Sequence, residues 1–84
     1  MRDIHFHVRT YTRKDTSLYL DDFQCAAPEL AEVMFQCYKN SALLDHLTGK
    51  IVPRVAVSMS AVKYYEGNIQ THELLKRWEF ELAK

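Results

Sequence analysis

The amino-terminal segment of the chain alternates between apolar and polar side chains. Because successive side chains of a β-strand point to opposite faces, such alternation over residues 3–11 predicts a half-buried strand. The apolar set comprises Ile4, Phe6 and Val8, and the polar set comprises His5, His7, Arg9 and Tyr11. The strand therefore offers one face to a core and a second face, rich in ring and guanidinium groups, to other contacts.

A polar break over residues 12–16 separates this strand from a second β-compatible stretch over residues 17–20. The two stretches predict an antiparallel hairpin. Its turn is expected to be a longer loop, because the break contains no Asn-Gly or Asp-Gly pair.

A helix is predicted to begin at Pro28, which suits the first helical position, and Glu29 and Glu32 favour the positive end of its dipole. An apolar stripe at three- and four-residue spacing predicts its buried face, and Phe35 lies off that stripe. The stripe consists of Leu30, Val33, Met34, Cys37 and Tyr38. Asn40 and Ser41 could interrupt this helix, with Ser41 as the cap of a second one. One bent helix and two short helices both fit the pattern. Gly49 is expected to end the helical region in a left-handed conformation.

Residues 51–65 are rich in β-branched and aromatic side chains, which predicts a third strand with Val55, Val57, Met59 and Ala61 on one face. Turn residues at 66–68 follow. In the last segment Trp78, Phe80 and Leu82 alternate with Arg77, Glu79 and Glu81. A helical stripe through Leu74, Leu75, Trp78 and Leu82 is the alternative. We favour a strand because Phe80 fits only the alternating pattern.

These elements predict one small α+β domain over residues 1–84, with the order ββαββ. A four-stranded antiparallel sheet carries one helix, or a broken helix, on one face, since short connections favour antiparallel neighbours. A chain of 84 residues has room for a single core. Such a small domain gains stability from association, so a homodimer is one expectation.

Charge and composition narrow the classes of function. Eleven basic and eleven acidic residues give a net charge of zero, so no overall field draws the protein to nucleic acid or to anionic lipid. The sequence has no signal-peptide pattern and no apolar run that could span a bilayer, and we expect a cytoplasmic protein without membrane contact. Cys25 and Cys37 are accordingly expected to be reduced thiols in or near the core.

Catalytic and metal-binding patterns are weak. His5 and His7 would project from one strand face and could share a metal ion, but a third ligand from His46, His72, a cysteine or an aspartate has no motif spacing. Cys25 or Cys37 with His46 lacks any sign of an activated thiol. Asp21 and Asp22 would point to opposite faces, while Glu79 and Glu81 would share one. With Gly49 and Gly67 the only glycines, no phosphate-binding loop exists. We expect no enzyme activity, no metal and no cofactor.

The remaining signal is the polar face of the first strand. We expect His5, His7, Arg9, Tyr11 and Tyr64 to bind a protein partner, since aromatic and arginine side chains concentrate binding energy at interfaces. The alternative is a small nucleic-acid binder that uses Arg9, Arg13, Lys14 and Arg54 with the tyrosines. Zero net charge favours the protein partner.

No residue pattern indicates a family. Short soluble domains without motifs are common among inhibitors carried by phages and other mobile elements, including anti-CRISPR proteins. By this analogy of size alone, the expected function is inhibition of a host protein or complex by steric occlusion.

Overall fold

The computed structural model describes residues 2–11, 19–49 and 55–79, and it has the predicted order ββαββ. The elements are β1 (Arg2–Tyr11), β2 (Tyr19–Cys25), α1 (Pro28–Leu47), β3 (Ala56–Tyr65) and β4 (Asn68–Glu79). The four strands form one sheet in the order β2-β1-β3-β4, and every neighbouring pair is antiparallel. The α+β class, the antiparallel sheet and the single helix are thus confirmed.

Strand β1 lies in the middle of the sheet, and its alternation decides what each face carries. Val8 pairs with Phe23 of β2 and Met59 of β3, whereas His7 pairs with Gln24 and Ser60. Directly paired residues share a face, so the apolar and polar sets of β1 continue across the sheet. Helix α1 covers the side that holds Phe6 and Val8, called the helix face below.

The core lies between α1 and the helix face. Val8, Val57 and Met59 pack against Ala31 and Phe35 of the helix. Partly buried side chains surround this cluster: Phe6, Phe23, Cys25, Met34, Tyr38 and Trp78. The expectation that Cys25 lies near the core is confirmed.

Helix α1 is continuous from Pro28 to Leu47, so neither a break at Asn40 nor a cap at Ser41 occurs. Pro28 occupies the first turn and Gly49 follows the helix with a φ of 76°, both as predicted.

The predicted buried stripe of α1 was wrong. The buried helix residues are Ala31, Phe35 and Ala42, while Leu30, Val33 and Cys37 are exposed. Only Met34 and Tyr38 of the predicted stripe reach the core, and both are partly buried. Two alanines let the helix approach the sheet closely, and Phe35 fills the space between them. Leu30, Val33 and Cys37 consequently point away from the sheet.

Contacts at the flank of the helix hold it on β4. The ammonium group of Lys76 donates to a carboxylate oxygen of Glu32 and lies 4.9 Å from the centre of the Phe35 ring. The bond from Lys76 lowers the pKa of Glu32. Lys39 places its ammonium group 6.0 Å from the ring centre of Trp78. These contacts orient α1 with Phe35 towards the sheet.

Strands β3 and β4 are joined by the predicted turn at residues 66–68. Tyr65 pairs with Asn68, and the two residues between them have positive φ values, 51° for Glu66 and 83° for Gly67. Positive φ at both central positions defines a type I′ turn, whose twist suits a hairpin. The strand predicted for the last segment is confirmed as far as Glu79.

Several predictions concern residues that lie outside the described part of the chain. The hairpin loop at 12–16, residues 51–54 of the third predicted strand, and Phe80, Glu81 and Leu82 lie outside the described residues. Strand β2 extends to Cys25, beyond the predicted residues 17–20. In the described part of the chain, no helix combines the length and the hydropathy needed to cross a bilayer.

Candidate functional site

The sheet face opposite α1 gathers the side chains that the sequence singled out. We call it the polar face, and within the described residues no second layer of secondary structure lies on it. Strand β1 contributes Asp3, His5, His7, Arg9 and Tyr11, β2 contributes Asp22 and Gln24, β3 contributes Ser58, Ser60, Val62 and Tyr64, and β4 contributes His72, Leu74, Arg77 and Glu79. All five predicted binding residues, His5, His7, Arg9, Tyr11 and Tyr64, lie here. Of the nucleic-acid candidates only Arg9 is described; Arg13, Lys14 and Arg54 lie outside the described residues.

His7 stands at the centre of the polar face and is only 4% exposed. Its Nδ1 lies 3.4 Å from Oδ1 of Asp22 and 3.3 Å from Nη2 of Arg9. Its Nε2 lies 3.3 Å from the hydroxyl oxygen of Tyr64. A neutral ring fits this arrangement, with Nδ1 accepting from the guanidinium and Nε2–H donating to the tyrosine oxygen. The imidazole therefore links β1 to β3 through Tyr64 and lies beside Asp22 of β2.

Burial lowers the pKa of His7 below its ordinary value of 6.5, because a charged ring loses hydration in this position. Asp22 acts in the opposite direction and favours the protonated ring, whereas Arg9 and His72 reinforce the lowering. The net effect favours the neutral ring.

The two described arginines of the polar face are each paired with a carboxylate. Nε of Arg9 lies 3.3 Å from Oδ1 of Asp22, and both side chains are largely buried. Nε of Arg77 donates to Oε2 of Glu79 at 3.2 Å. Each of these positive charges thus has a negative charge beside it.

A shallow cleft of about 230 Å³ lies at the end of the face near the β3–β4 turn. Asp3, His5, Gln24, Tyr64 and Gly67 line it. The rings of His5 and Tyr64 meet edge to face, with centroids 5.3 Å apart and planes at 87°. Such packing limits the motion of both rings, so this end of the face presents a shaped, partly aromatic surface.

The other end of the face is built around Tyr11. Its hydroxyl accepts a hydrogen bond from Oγ of Ser58 at 3.3 Å, and the guanidinium of Arg77 lies 5.4 Å from its ring centre. Tyr11 and Tyr64 therefore mark opposite ends of one continuous polar surface.

The weaker chemical candidates are not assembled into a site. Within the described ranges, no group of three His, Cys, Asp or Glu side chains is close enough to hold a metal ion. Cys37 and His46 lie nine positions apart on one helix, about 13 Å along its axis. Asp21 and Asp22 pair with Thr10 and Arg9 and so lie on opposite faces, as predicted. Glu81, the second of the paired glutamates, lies outside the described residues.

The predicted binding residues did not include the polar residues Asp3, Asp22, Gln24 and Arg77 of this surface. Asp3 belongs to the alternation of β1 and could have been included on that basis. Asp22, Gln24 and Arg77 reach the face only through the register of β2 and β4 against the central strands. No signal within their own segments reveals that register.

A comparison of the chain with protein-family models, with curated proteins and with solved structures found no match.

Proposed function

We propose that this protein is a non-enzymatic protein-binding domain and that its polar face contacts the partner. The observation that carries the proposal is the pairing of both described arginines of the face with carboxylates. A surface with balanced charges and exposed parts of aromatic rings suits a protein, whose interfaces are rich in tyrosine and arginine.

The same pairing disfavours nucleic acid as the partner. Affinity for nucleic acid comes largely from cations that neutralise phosphates. Asp22 and Glu79 already neutralise Arg9 and Arg77, and an approaching phosphate would meet their carboxylates. Burial also lowers the pKa of His7, which disfavours a positive charge on its ring.

The cleft suggests where the partner would be anchored. Tyr64 and His5 hold one another in place and border a hollow that also exposes Asp3 and Gln24. A side chain of the partner that enters this hollow would contact rigid rings, and a rigid surface loses little side-chain entropy on binding. Binding here would act by covering the partner's surface, so no catalytic step is needed.

We also propose a cytoplasmic location, which the free Cys25 and Cys37 support.

Adjacent tyrosines provide a matched test. Tyr64 lies on the polar face, whereas Tyr65 is its exposed neighbour at the end of β3, next to the turn. Tagged wild-type protein, Tyr64→Ala and Tyr65→Ala would each be used to capture partners from a lysate of the source cells, with and without nuclease. We expect a stoichiometric protein that survives nuclease, is lost with Tyr64→Ala and is retained with Tyr65→Ala.

The opposite results would be equally clear. Recovery of nucleic acid that nuclease removes, with binding that falls steeply between low and physiological salt, would replace the protein partner with a nucleic-acid partner. A captured protein that both variants retain would move the contact away from the polar face.

A further inference from the structure

The outward side of α1 is an apolar surface that none of the described strands covers. Leu30, Val33, Leu44 and Leu47 are 45%, 55%, 62% and 78% exposed. Cys37 and Asn40 lie between them and are also exposed. We call these six residues the outer seam. An uncovered apolar strip of this kind usually marks a contact surface.

The spacing of the outer seam is regular. Its positions, 30, 33, 37, 40, 44 and 47, follow alternating steps of three and four residues over the length of the helix. This is the heptad pattern by which two helices interlock along a shared seam. Positions 30, 37 and 44 are its a positions, and positions 33, 40 and 47 are its d positions. The pattern is separate from the buried stripe through Ala31, Phe35 and Ala42, which faces the sheet. One helix thus carries two apolar stripes, of which only the buried one faces the sheet.

The outer seam contains no charged residue. Glu32 and Lys39 of the helix are directed to β4, where they contact Lys76 and the ring of Trp78. Two identical seams can therefore meet without bringing like charges into contact.

We propose that the outer seam binds the outer seam of a second copy of this chain, with the two helices antiparallel around a two-fold axis. In this arrangement each a position packs against a d position of the other helix. Leu30 meets Leu47 of the second copy, Val33 meets Leu44, and Cys37 meets Asn40. Each pairing occurs twice, so four fully apolar layers flank two central layers that contain Asn40.

The seam is self-complementary in this direction for three reasons. Its six positions are symmetric about the middle of the helix, so a two-fold axis superimposes every a position on a d position. Antiparallel helices place the positive end of each dipole beside the negative end of the other, and Glu29 lies in the first turn while His46 lies in the last. The single polar d position, Asn40, favours one register over slipped alternatives.

The arrangement is compatible with the fold. The outer seam points away from the sheet, so two copies can approach helix to helix with their sheets on the outside and both polar faces still accessible. The helix of 20 residues is about 30 Å long and is already folded against its own sheet, so association does not have to form it. An interface of two such helices is small, below about 1,200 Å² in total, and we therefore expect a weak, concentration-dependent dimer.

Sedimentation equilibrium over a concentration series reaching about 1 mM tests the proposal. We expect the wild-type mass to rise from that of the 9.9 kDa chain towards twice that value. Leu44→Glu places two carboxylates in apolar layers of the dimer and should raise its dissociation constant by about 100-fold or more. Leu74→Glu is the matched control, because Leu74 is 57% exposed but lies on the polar face of β4, and its dimer should persist.

A charge exchange tests the register. Val33→Lys alone and Leu44→Glu alone should each yield monomers. The double variant should recover the dimer, because the ammonium group introduced at position 33 of one copy then faces the carboxylate introduced at position 44 of the other. Parallel helices would instead oppose like charges in both layers and would not recover. Circular dichroism and urea unfolding would verify that each variant is folded.

Three results would overturn the proposal. These are a wild-type protein that remains monomeric throughout the series, a dimer that Leu44→Glu leaves intact, and a double variant that stays monomeric although it is folded. If the wild type is monomeric but its seam binds a helix of another protein, the second copy is excluded as the occupant.

Discussion

The two faces of the sheet are built from the same strands but differ in what holds them together. On the helix face, Val8, Val57 and Met59 pack against α1 with no polar group in the cluster. On the polar face, His7, Arg9 and Asp22 are also largely buried, yet an ion pair joins Arg9 to Asp22 and a hydrogen bond joins Arg9 to His7. Burial by itself therefore does not distinguish the faces. We expect the helix face to supply most of the stability through apolar burial and the contacts of the polar face mainly to fix side-chain positions.

The largest effect that separates the two faces is expected from a cavity on the helix side. Phe35→Ala removes a side chain that is 4% exposed and should lower the free energy of unfolding by about 3–5 kcal/mol, a large part of the total for a small domain. Leu47→Ala, at a position 78% exposed, should change it by less than about 0.5 kcal/mol. Urea unfolding measures both. Equal losses would mean that Phe35 does not anchor the helix.

A smaller loss is expected on the polar face. Asp22→Asn removes the carboxylate that faces both His7 and the partly buried Arg9 and so weakens the ion pair with Arg9, which should lower stability by about 1–3 kcal/mol. Asp3→Asn, at an exposed position of the same face, is the control and should have little effect in the same urea titration. If Asp22→Asn were as stable as the wild type, the ion pairs would contribute nothing to the fold.

A stabilising change is expected at the turn, which belongs to neither face. Glu66 has a φ of 51°, where a glutamate side chain is strained, and Asn tolerates this region better. Glu66→Asn should raise the free energy of unfolding by about 0.5–1 kcal/mol, measured as a higher urea midpoint. Binding of the partner should not change. Glu73→Asn, within regular strand β4, should instead be neutral or slightly destabilising.

The smallest effect concerns pH. Because the pKa of His7 is lower in the folded protein than in the unfolded chain, the unfolded chain binds the proton more readily. The stability that the neutral ring contributes is present above about pH 6.5 and is lost as the pH falls below that value towards the folded pKa. His7→Gln should lose less stability than the wild type between about pH 7.5 and about pH 5 in thermal unfolding. Parallel curves for the two proteins would exclude His7 as the cause.

The helix shows where prediction from sequence reaches its limit. Alternation in β1 identified both faces correctly, because a strand with period two has only two sides. Spacing in α1 identified Leu30, Val33 and Cys37 as an apolar stripe, which they are, but it also placed them against the sheet. Periodicity finds apolar stripes without saying what each one contacts. Ala31 and Ala42 were overlooked because small residues contribute little to a hydrophobic pattern, although they allow the closest approach.

The polar face was predictable only in part, for a similar reason. His5, His7, Arg9 and Tyr11 follow from a single strand. Asp22, Gln24 and Arg77 depend on the pairing of distant segments, and two irregularities in the β3–β4 register change which side chains of β4 share a face. The zero net charge was visible in the sequence, whereas the pairing of Arg9 and Arg77 with carboxylates could be recognised only from the structure.

The position of β1 also determines the order in which the chain can fold. The hairpin of β3 and β4 closes over two residues, and β2 follows β1 closely, so both hairpins can form from neighbouring segments. The central ladder pairs Arg2 with Tyr65 and Tyr11 with Ala56, residues that are 63 and 45 positions apart in the sequence. Closing so long a loop is slow. The rate-limiting event is thus expected to be the joining of two preformed halves along β1 and β3, with α1 as the segment that connects them.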